Sequence, residues 1–224
     1  MPILLFDIDG TLIRTGGAGK AAMEAALQTA FGITAIRDEV PYSGRTDLAI
    51  SRDLLQVHGI EPTLENQRRL CQAYLEHLPR SLTAKGGHVC PGVRELLPHI
   101  ATRTPVVLGL LTGNVRPGAA AKLKHFGLWE FFRCGGFGDD FHDRDDVARA
   151  ALASVAAYLG RTVDPAEVWV IGDTPWDVRC ARAIGAQAVA VATGWHPLEE
   201  LARHQPDVLL PDLSDYSQLR QLWE

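Results

Sequence analysis

The chain has 224 residues, 46% of them hydrophobic and 22% charged, which is enough apolar material for one large α/β domain or two smaller ones and excludes a disordered chain. Its formal net charge of −5 argues against nucleic-acid binding through general electrostatics, because neutralising phosphates takes a surplus of Lys and Arg. Cys71, Cys90, Cys134 and Cys180 form no C-x-x-C pair and suit small buried thiols in a reducing cytoplasm better than a zinc site or disulfide framework. The apolar run Ile3 to Phe6 is too short for a signal-peptide core, and no uncharged run reaches membrane-spanning length, so no membrane partner is expected.

The first strand is expected at Ile3-Leu4-Leu5-Phe6, a short apolar run that leads into Asp7-Ile8-Asp9-Gly10-Thr11. From roughly residue 15 to 86 the pattern changes, and Gly19 to Phe31, Asp47 to His58 and Thr63 to Leu78 read as helices. Gly32, the turn from Pro41 to Gly44, and Gly59 with Pro62 separate them. This stretch reads as a helical insertion after the first strand, with Lys85-Gly86-Gly87 as the return hinge.

Beyond residue 105 strands and helices alternate. Strands are expected at Pro105 to Leu111, Arg133 to Phe137, Val168 to Ile171, Ala188 to Ala192 and Val208 to Leu210. Helices are expected at Pro117 to Phe126, Asp145 to Leu159 and Pro175 to Ile184. Repeated β-α units predict a doubly wound parallel sheet, with the helical stretch as an insertion after its first strand. The expected division is a core of residues 1–14 and 87–224 and an inserted part of residues 15–86.

Chemistry-bearing residues fall at strand ends, where open α/β sheets bind ligands. Asp7 and Asp9 flank one apolar residue, and Gly10 permits a backbone that folds the second acid over the first, so that one carboxylate can attack while the other moves a proton. Asp9-Gly10 as a mere chain reversal is the structural alternative. Thr112-Gly113-Asn114 ends a strand before a helix and offers a hydroxyl, backbone N–H groups and a helix dipole to an anion; a glycine turn with Asn114 as helix cap is the alternative. Gly172-Asp173-Thr174-Pro175-Trp176-Asp177 places two more acids at a strand end, with Thr174 and Asp177 spaced as a capping box. If the strands carrying them are neighbours, Asp7, Asp9, Asp173 and Asp177 cluster and need a cation, and hard oxygen ligands point to Mg²⁺.

Phe6-Asp7-Ile8-Asp9-Gly10-Thr11-Leu12, Leu110-Leu111-Thr112-Gly113-Asn114 and Val170-Ile171-Gly172-Asp173-Thr174-Pro175-Trp176-Asp177, in this order around a helical insertion, resemble the haloacid dehalogenase superfamily, specifically its phosphoglycolate phosphatase-like members. The resemblance spans essentially the whole chain. It implies a Rossmann-like core with an inserted α-helical cap, Mg²⁺ dependence and an aspartyl-phosphate intermediate, with Asp7 as nucleophile and metal ligand and Asp9 as general acid/base with its backbone carbonyl on the metal. Thr112 becomes a phosphate binder, Asp173 a direct metal ligand and Asp177 its support. One departure stands out: where the family usually presents a Lys before the helix leading to the fourth motif, this chain reads Gly138-Asp139-Asp140-Phe141-His142-Asp143-Arg144-Asp145. Arg144 is the best positional substitute, with Lys122 second, on a helix whose exposed face would equally hold it in solvent. Asp139, Asp140, Asp143 and His142 have a second metal site as their minor reading and a solvated loop as the main one.

The expected activity is hydrolysis of small phosphorylated metabolites, by a monomer or homodimer. A phosphomutase is the alternative within the fold, and a non-catalytic phospho-acceptor domain the alternative of another class, disfavoured by an insertion of roughly 70 residues. A dehalogenase would leave Asp9 without a role. In the insertion, Ser43-Gly44-Arg45-Thr46-Asp47 resembles a cap loop that brings Arg45 to an anionic substrate group, against the plainer reading of a helix cap beside a solvated Arg.

Overall fold

The computed structural model describes residues 1–37, 39–102 and 106–220. Strand β1 (Ile3–Phe6) is buried along its whole length and is followed by a two-residue strand β2 (Ile13–Arg14). Helices α1 (Ala18–Phe31), α2 (Asp47–Val57) and α3 (Leu64–Lys85) come next, and then a second two-residue strand, β3 (His88–Val89). The chain continues with α4 (Val93–Ala101), β4 (Val107–Leu111), α5 (Arg116–His125), β5 (Cys134–Gly136) and α6 (Arg144–Leu159). It ends with β6 (Val168–Gly172), α7 (Pro175–Ala183), β7 (Gln187–Val191), α8 (Leu198–Ala202), β8 (Val208–Leu210) and α9 (Ser217–Arg220). The expected strand start at Pro105 lies outside the described residues.

Six strands form one parallel sheet in the order β5-β4-β1-β6-β7-β8. Because side chains alternate across a strand, β1 feeds both faces. Leu4 and Phe6 join α4 and α5 through Leu97, Ile100 and Leu123, while Ile3 and Leu5 join α6 and α7 through Val147, Val155 and Val178. The sheet is therefore covered on both sides, as its near-continuous apolar strands require. β1 lies where the strand order reverses, with β4 on one side and β6 on the other, so its carboxyl end opens into the crevice that such sheets use for ligands.

The three helices between β2 and β3 share a separate apolar cluster that includes Leu27, Leu54, Leu70, Tyr74 and Leu78. The chain leaves for this cluster and returns from it through the antiparallel β2-β3 pair, Ile13 opposite Val89 and Arg14 opposite His88. One expectation and one structural alternative give way here. Helix α3 does not stop at Leu78 but runs through Pro79 to Lys85, because Leu78 and Leu82 continue one buried face across the proline and outweigh the lost backbone hydrogen bond. Nor is Asn114 the cap of α5; Val115 holds that position and frees the Asn114 amide for other partners.

Candidate active site

The ends of β1, β4 and β6 bring the predicted acids and polar groups together around a cavity of about 790 Å³. Asp7, Asp173 and Asp177 are buried, and each offers a carboxylate oxygen within 4.8 Å of the others. Asp173 Oδ1 accepts from Thr11 Oγ1 at 2.9 Å, and its other oxygen packs where a side chain on Gly10, held at φ +94°, would have to stand. Only glycine suits that position, for both reasons.

Burial pushes the Asp7 carboxyl up to about 7, against the opposing pull of Arg144, with Asp177 and Asp9 adding to the rise. Asp173 is raised well above the ordinary carboxylate range by burial, then by Asp177 and Asp7. Carboxylates so placed lower their energy by taking up protons or a cation, and an all-oxygen donor set fits a hard divalent ion. Asp177 is the least available of the three. Its Oδ2 accepts from the backbone N–H and the hydroxyl of Thr174, at 3.0 and 2.8 Å, and its Oδ1 is taken by Arg144. The carboxylates of Asp7 and Asp173 are the ones left facing the cavity.

Asp9 stands apart. Its side chain is not a member of the acidic group; Oδ2 accepts instead from Lys122 Nζ at 2.6 Å and from Asn114 Nδ2 at 2.8 Å. Lys122 also donates to Asn114 Oδ1 at 2.6 Å, and Asn114 Nδ2 to Thr112 Oγ1 at 2.8 Å, which closes a network of four side chains. Lys122 is therefore buried rather than facing solvent as its helix position allowed. Burial alone would lower the pKa of its ammonium group, but Asp9 and Asp47 more than offset this and hold it above its ordinary range. Arg144 is buried as well, 3.4 Å from Asp7 and in contact with Asp177, and these two carboxylates keep it charged in spite of its burial. Sequence reasoning offered these two cations as competitors for one position. The structure gives each its own carboxylates.

The loop from the insertion meets the sheet directly. Asp47 N donates to Gly113 O at 2.7 Å, Val115 N donates to Asp47 Oδ2 at 2.9 Å, and a side chain on Gly113 would strike the Arg45 carbonyl. Thr46 caps α2 by accepting from Ala49 N at 3.1 Å, as the plainer reading of this loop had it. The Arg45 guanidinium pairs with Asp53 at 2.6 Å and donates to the Pro41 carbonyl at 3.2 Å, while the residue still lines the cavity. Sequence reading passed over Asp47. Burial raises its carboxyl to about 6 although Lys122 and the Val115 N–H pull it down. The loop acids Asp139, Asp140 and Asp143, with His142, form no metal-binding group among the described residues; Asp139 accepts from Arg116 N and Asp143 caps α6. The four thiols are free, with Cys90 and Cys180 buried and Cys71 and Cys134 half-buried. Among the described residues no helix is long and apolar enough to cross a membrane.

An acid-tipped central strand, a hydroxyl at the end of its neighbour and further acids across the other edge make one candidate active site in an α/β fold that carries a helical insertion. Residues 1–185 match the model of the haloacid dehalogenase-like hydrolases, and the chain belongs to that family. It is 33% identical over 218 residues to a phosphoglycolate phosphatase of Synechococcus elongatus, covering 97% of this chain and 96% of that protein. A phosphoglycolate phosphatase of Pectobacterium atrosepticum is 25% identical, with 95% and 89% covered. The fold is similar to that of CbbY from Rhodobacter sphaeroides in complex with phosphate, with TM-score 0.76, 21% identity and 96% of each chain covered. It is also similar to that of a candidate β-phosphoglucomutase from Thermotoga maritima, with TM-score 0.65, 21% identity and 100% of each chain covered. At these identities the two structures speak for the fold alone. The protein is an enzyme acting on phosphoric monoester bonds.

Proposed function

We propose that this chain is a Mg²⁺-dependent phosphatase of small phosphorylated metabolites, working through an aspartyl-phosphate on Asp7. The observation that carries the reading is the pairing of a buried Asp7 with Asp173 at the floor of a cavity that Thr112 and Lys122 also line. In this reading Asp7 and Asp173 hold the cation and Asp177 supports them from behind. Bound there, Mg²⁺ supplies charge neutralisation for the Asp7 carboxylate and for the transferring phosphoryl group.

The chain's own residues account for the remaining steps. Asp7 attacks phosphorus, and the bond to the leaving oxygen breaks as Asp9, in its protonated form, hands that oxygen its proton and becomes the carboxylate that Lys122 stabilises. The deprotonated Asp9 then takes a proton from the water that attacks the aspartyl-phosphate, which releases phosphate and restores both acids. Lys122 and Asn114 keep the Asp9 carboxylate aimed, Arg144 holds Asp7 and Asp177 against each other's repulsion, and Thr112 with the Gly113 N–H binds phosphate oxygens. Residues 15–86 act as a cap over a core formed by residues 1–14 and 87–224, excluding water from the strand ends.

A screen for phosphate release across phosphorylated sugars, short organic acids and nucleotides, with and without Mg²⁺, tests this. Turnover that needs Mg²⁺ and disappears in Asp7→Asn is the expected result; turnover that survives Asp7→Asn overturns the mechanism.

A further inference from the structure

Helix α5 begins without a cap of its own. Val115 holds the N-cap position with a side chain that carries no acceptor, and Pro117, two residues on, has no N–H. The open donors at this end are met by acids from elsewhere in the chain: Arg116 N donates to Asp139 Oδ2 at 2.9 Å and Val115 N to Asp47 Oδ2 at 2.9 Å. Asp139 belongs to the loop between β5 and α6, whereas Asp47 is the first residue of α2 and so comes from the helical insertion.

The carbonyls of the same turn are divided in the same way. Gly138 N donates to Asn114 O at 2.8 Å, and Asp47 N donates to Gly113 O at 2.7 Å. Asp47 thus grips two successive peptide units, the one joining Gly113 to Asn114 by its backbone and the one joining Asn114 to Val115 by its carboxylate. The fit leaves no slack, since a side chain on Gly113 would strike the Arg45 carbonyl and one on Gly138 would strike the Gly113 carbonyl. In so close a packing a displaced neighbour moves the turn itself. The turn begins with the Thr112 hydroxyl and the Gly113 N–H, and its Asn114 Nδ2 donates to Asp9 Oδ2 at 2.8 Å.

We propose that Asp47 is a positioning residue for phosphoryl transfer: reaching in from the insertion, it sets the turn Thr112-Gly113-Asn114 so that the hydroxyl and the N–H meet the transferring group. This rests on the reading that Asp7 and this turn handle phosphate.

Steady-state kinetics on para-nitrophenyl phosphate with Mg²⁺ tests the role, because an aryl leaving group needs little help from Asp9 and the readout falls on the phosphoryl-binding turn. Asp47→Ala should lower kcat about 10- to 100-fold and leave KM within about threefold of the parent, the pattern of an interaction realised in the transition state. Asp47→Asn should keep kcat within about threefold, because its amide oxygen accepts from Val115 N in the same place. A merely structural role gives a different pattern, a lower thermal midpoint with KM and kcat per folded molecule unchanged. Val115→Pro deletes the same bond from the donor side at a residue whose φ of −62° already suits proline, and should lower kcat to a similar extent. Parent-like kcat in folded Asp47→Ala or Val115→Pro overturns the positioning role. So does an Asp47→Asn protein as slow as Asp47→Ala, or loss of the fold in both Asp47→Ala and Val115→Pro. Absence of Mg²⁺-dependent turnover in the parent overturns the phosphatase reading, and the positioning role with it.

Discussion

Lys122 and Arg144 are both buried cations, yet their loss should read out differently. Lys122 bonds Asp9, whose side chain is 40% exposed toward the cavity, whereas Arg144 lies between two carboxylates, Asp177 and Asp7, that are less than a tenth exposed. Lys122→Met should cut kcat by roughly 10² to 10³, the cost of one preorganised donor, with little change in thermal midpoint. Arg144→Met should cost about 3 to 5 kcal/mol of stability as well as activity, because it leaves buried charges unpaired. Parallel kinetics and thermal melts check this, and an Arg144→Met protein as stable as its parent counts against the burial argument. Asp9→Asn should nearly abolish turnover while leaving the fold intact, measured as steady-state phosphate release. Chain position puts Arg144 ahead of Lys122 as the cation beside the nucleophile, and the structure places both at the site beside different carboxylates. A helical register alone does not say which face of α5 the insertion covers.

At the scale of elements, the loop before α2 is tied at both ends. Arg45 reaches Asp53 one helical stretch further on, and Asp47 grips the turn between β4 and α5 from two sides. Arg45 therefore braces the loop rather than offering a free charge, and Asp53→Ala should raise KM about as much as Arg45→Ala. A double-mutant cycle on KM tests the coupling: the double variant should be no worse than either single one. The main strands and the acids at their ends were legible because buried parallel strands are continuous apolar runs ended by turn residues, as in Ile3 to Phe6 before Asp9-Gly10. The β2-β3 pair was not, since two residues carry no periodicity and Arg14 and His88 become neighbours only through tertiary pairing. Asp47 escaped for a related reason. Its value lies in a contact with Val115, 68 positions away, and nothing in its immediate sequence marks it.

For the whole molecule, the proposed cation at the acidic group would be coupled to stability. Burial pushes the Asp7 carboxyl up to about 7 and the Asp173 carboxyl well above the ordinary carboxylate range. A raised carboxylate holds its proton longer in the fold than in the unfolded chain, so this contribution is most favourable below about pH 4 and is lost as pH climbs through about 7. On the proposed function, Mg²⁺ competes with that proton. Added Mg²⁺ should therefore raise the thermal midpoint more at pH 8 than at pH 5, and Asp173→Asn should remove most of the gain. Differential scanning fluorimetry with a chelator control reads both, and an equal shift at the two pH values speaks against a cation held by these carboxylates.

The central place of β1 also shapes how the chain comes to be folded. Ile3 pairs with Val107 on one side and with Val168 on the other. At synthesis rates of roughly 5 to 20 residues per second, β1 waits for several seconds before either neighbour exists. During that interval the helices between Ala18 and Lys85 are already complete and can gather around Leu27, Leu54 and Leu78 through contacts that are closer in sequence. The insertion can thus serve the nascent chain as an early folding unit, while the apolar Ile3 to Phe6 segment lacks its sheet partners until the chain beyond Val168 is made.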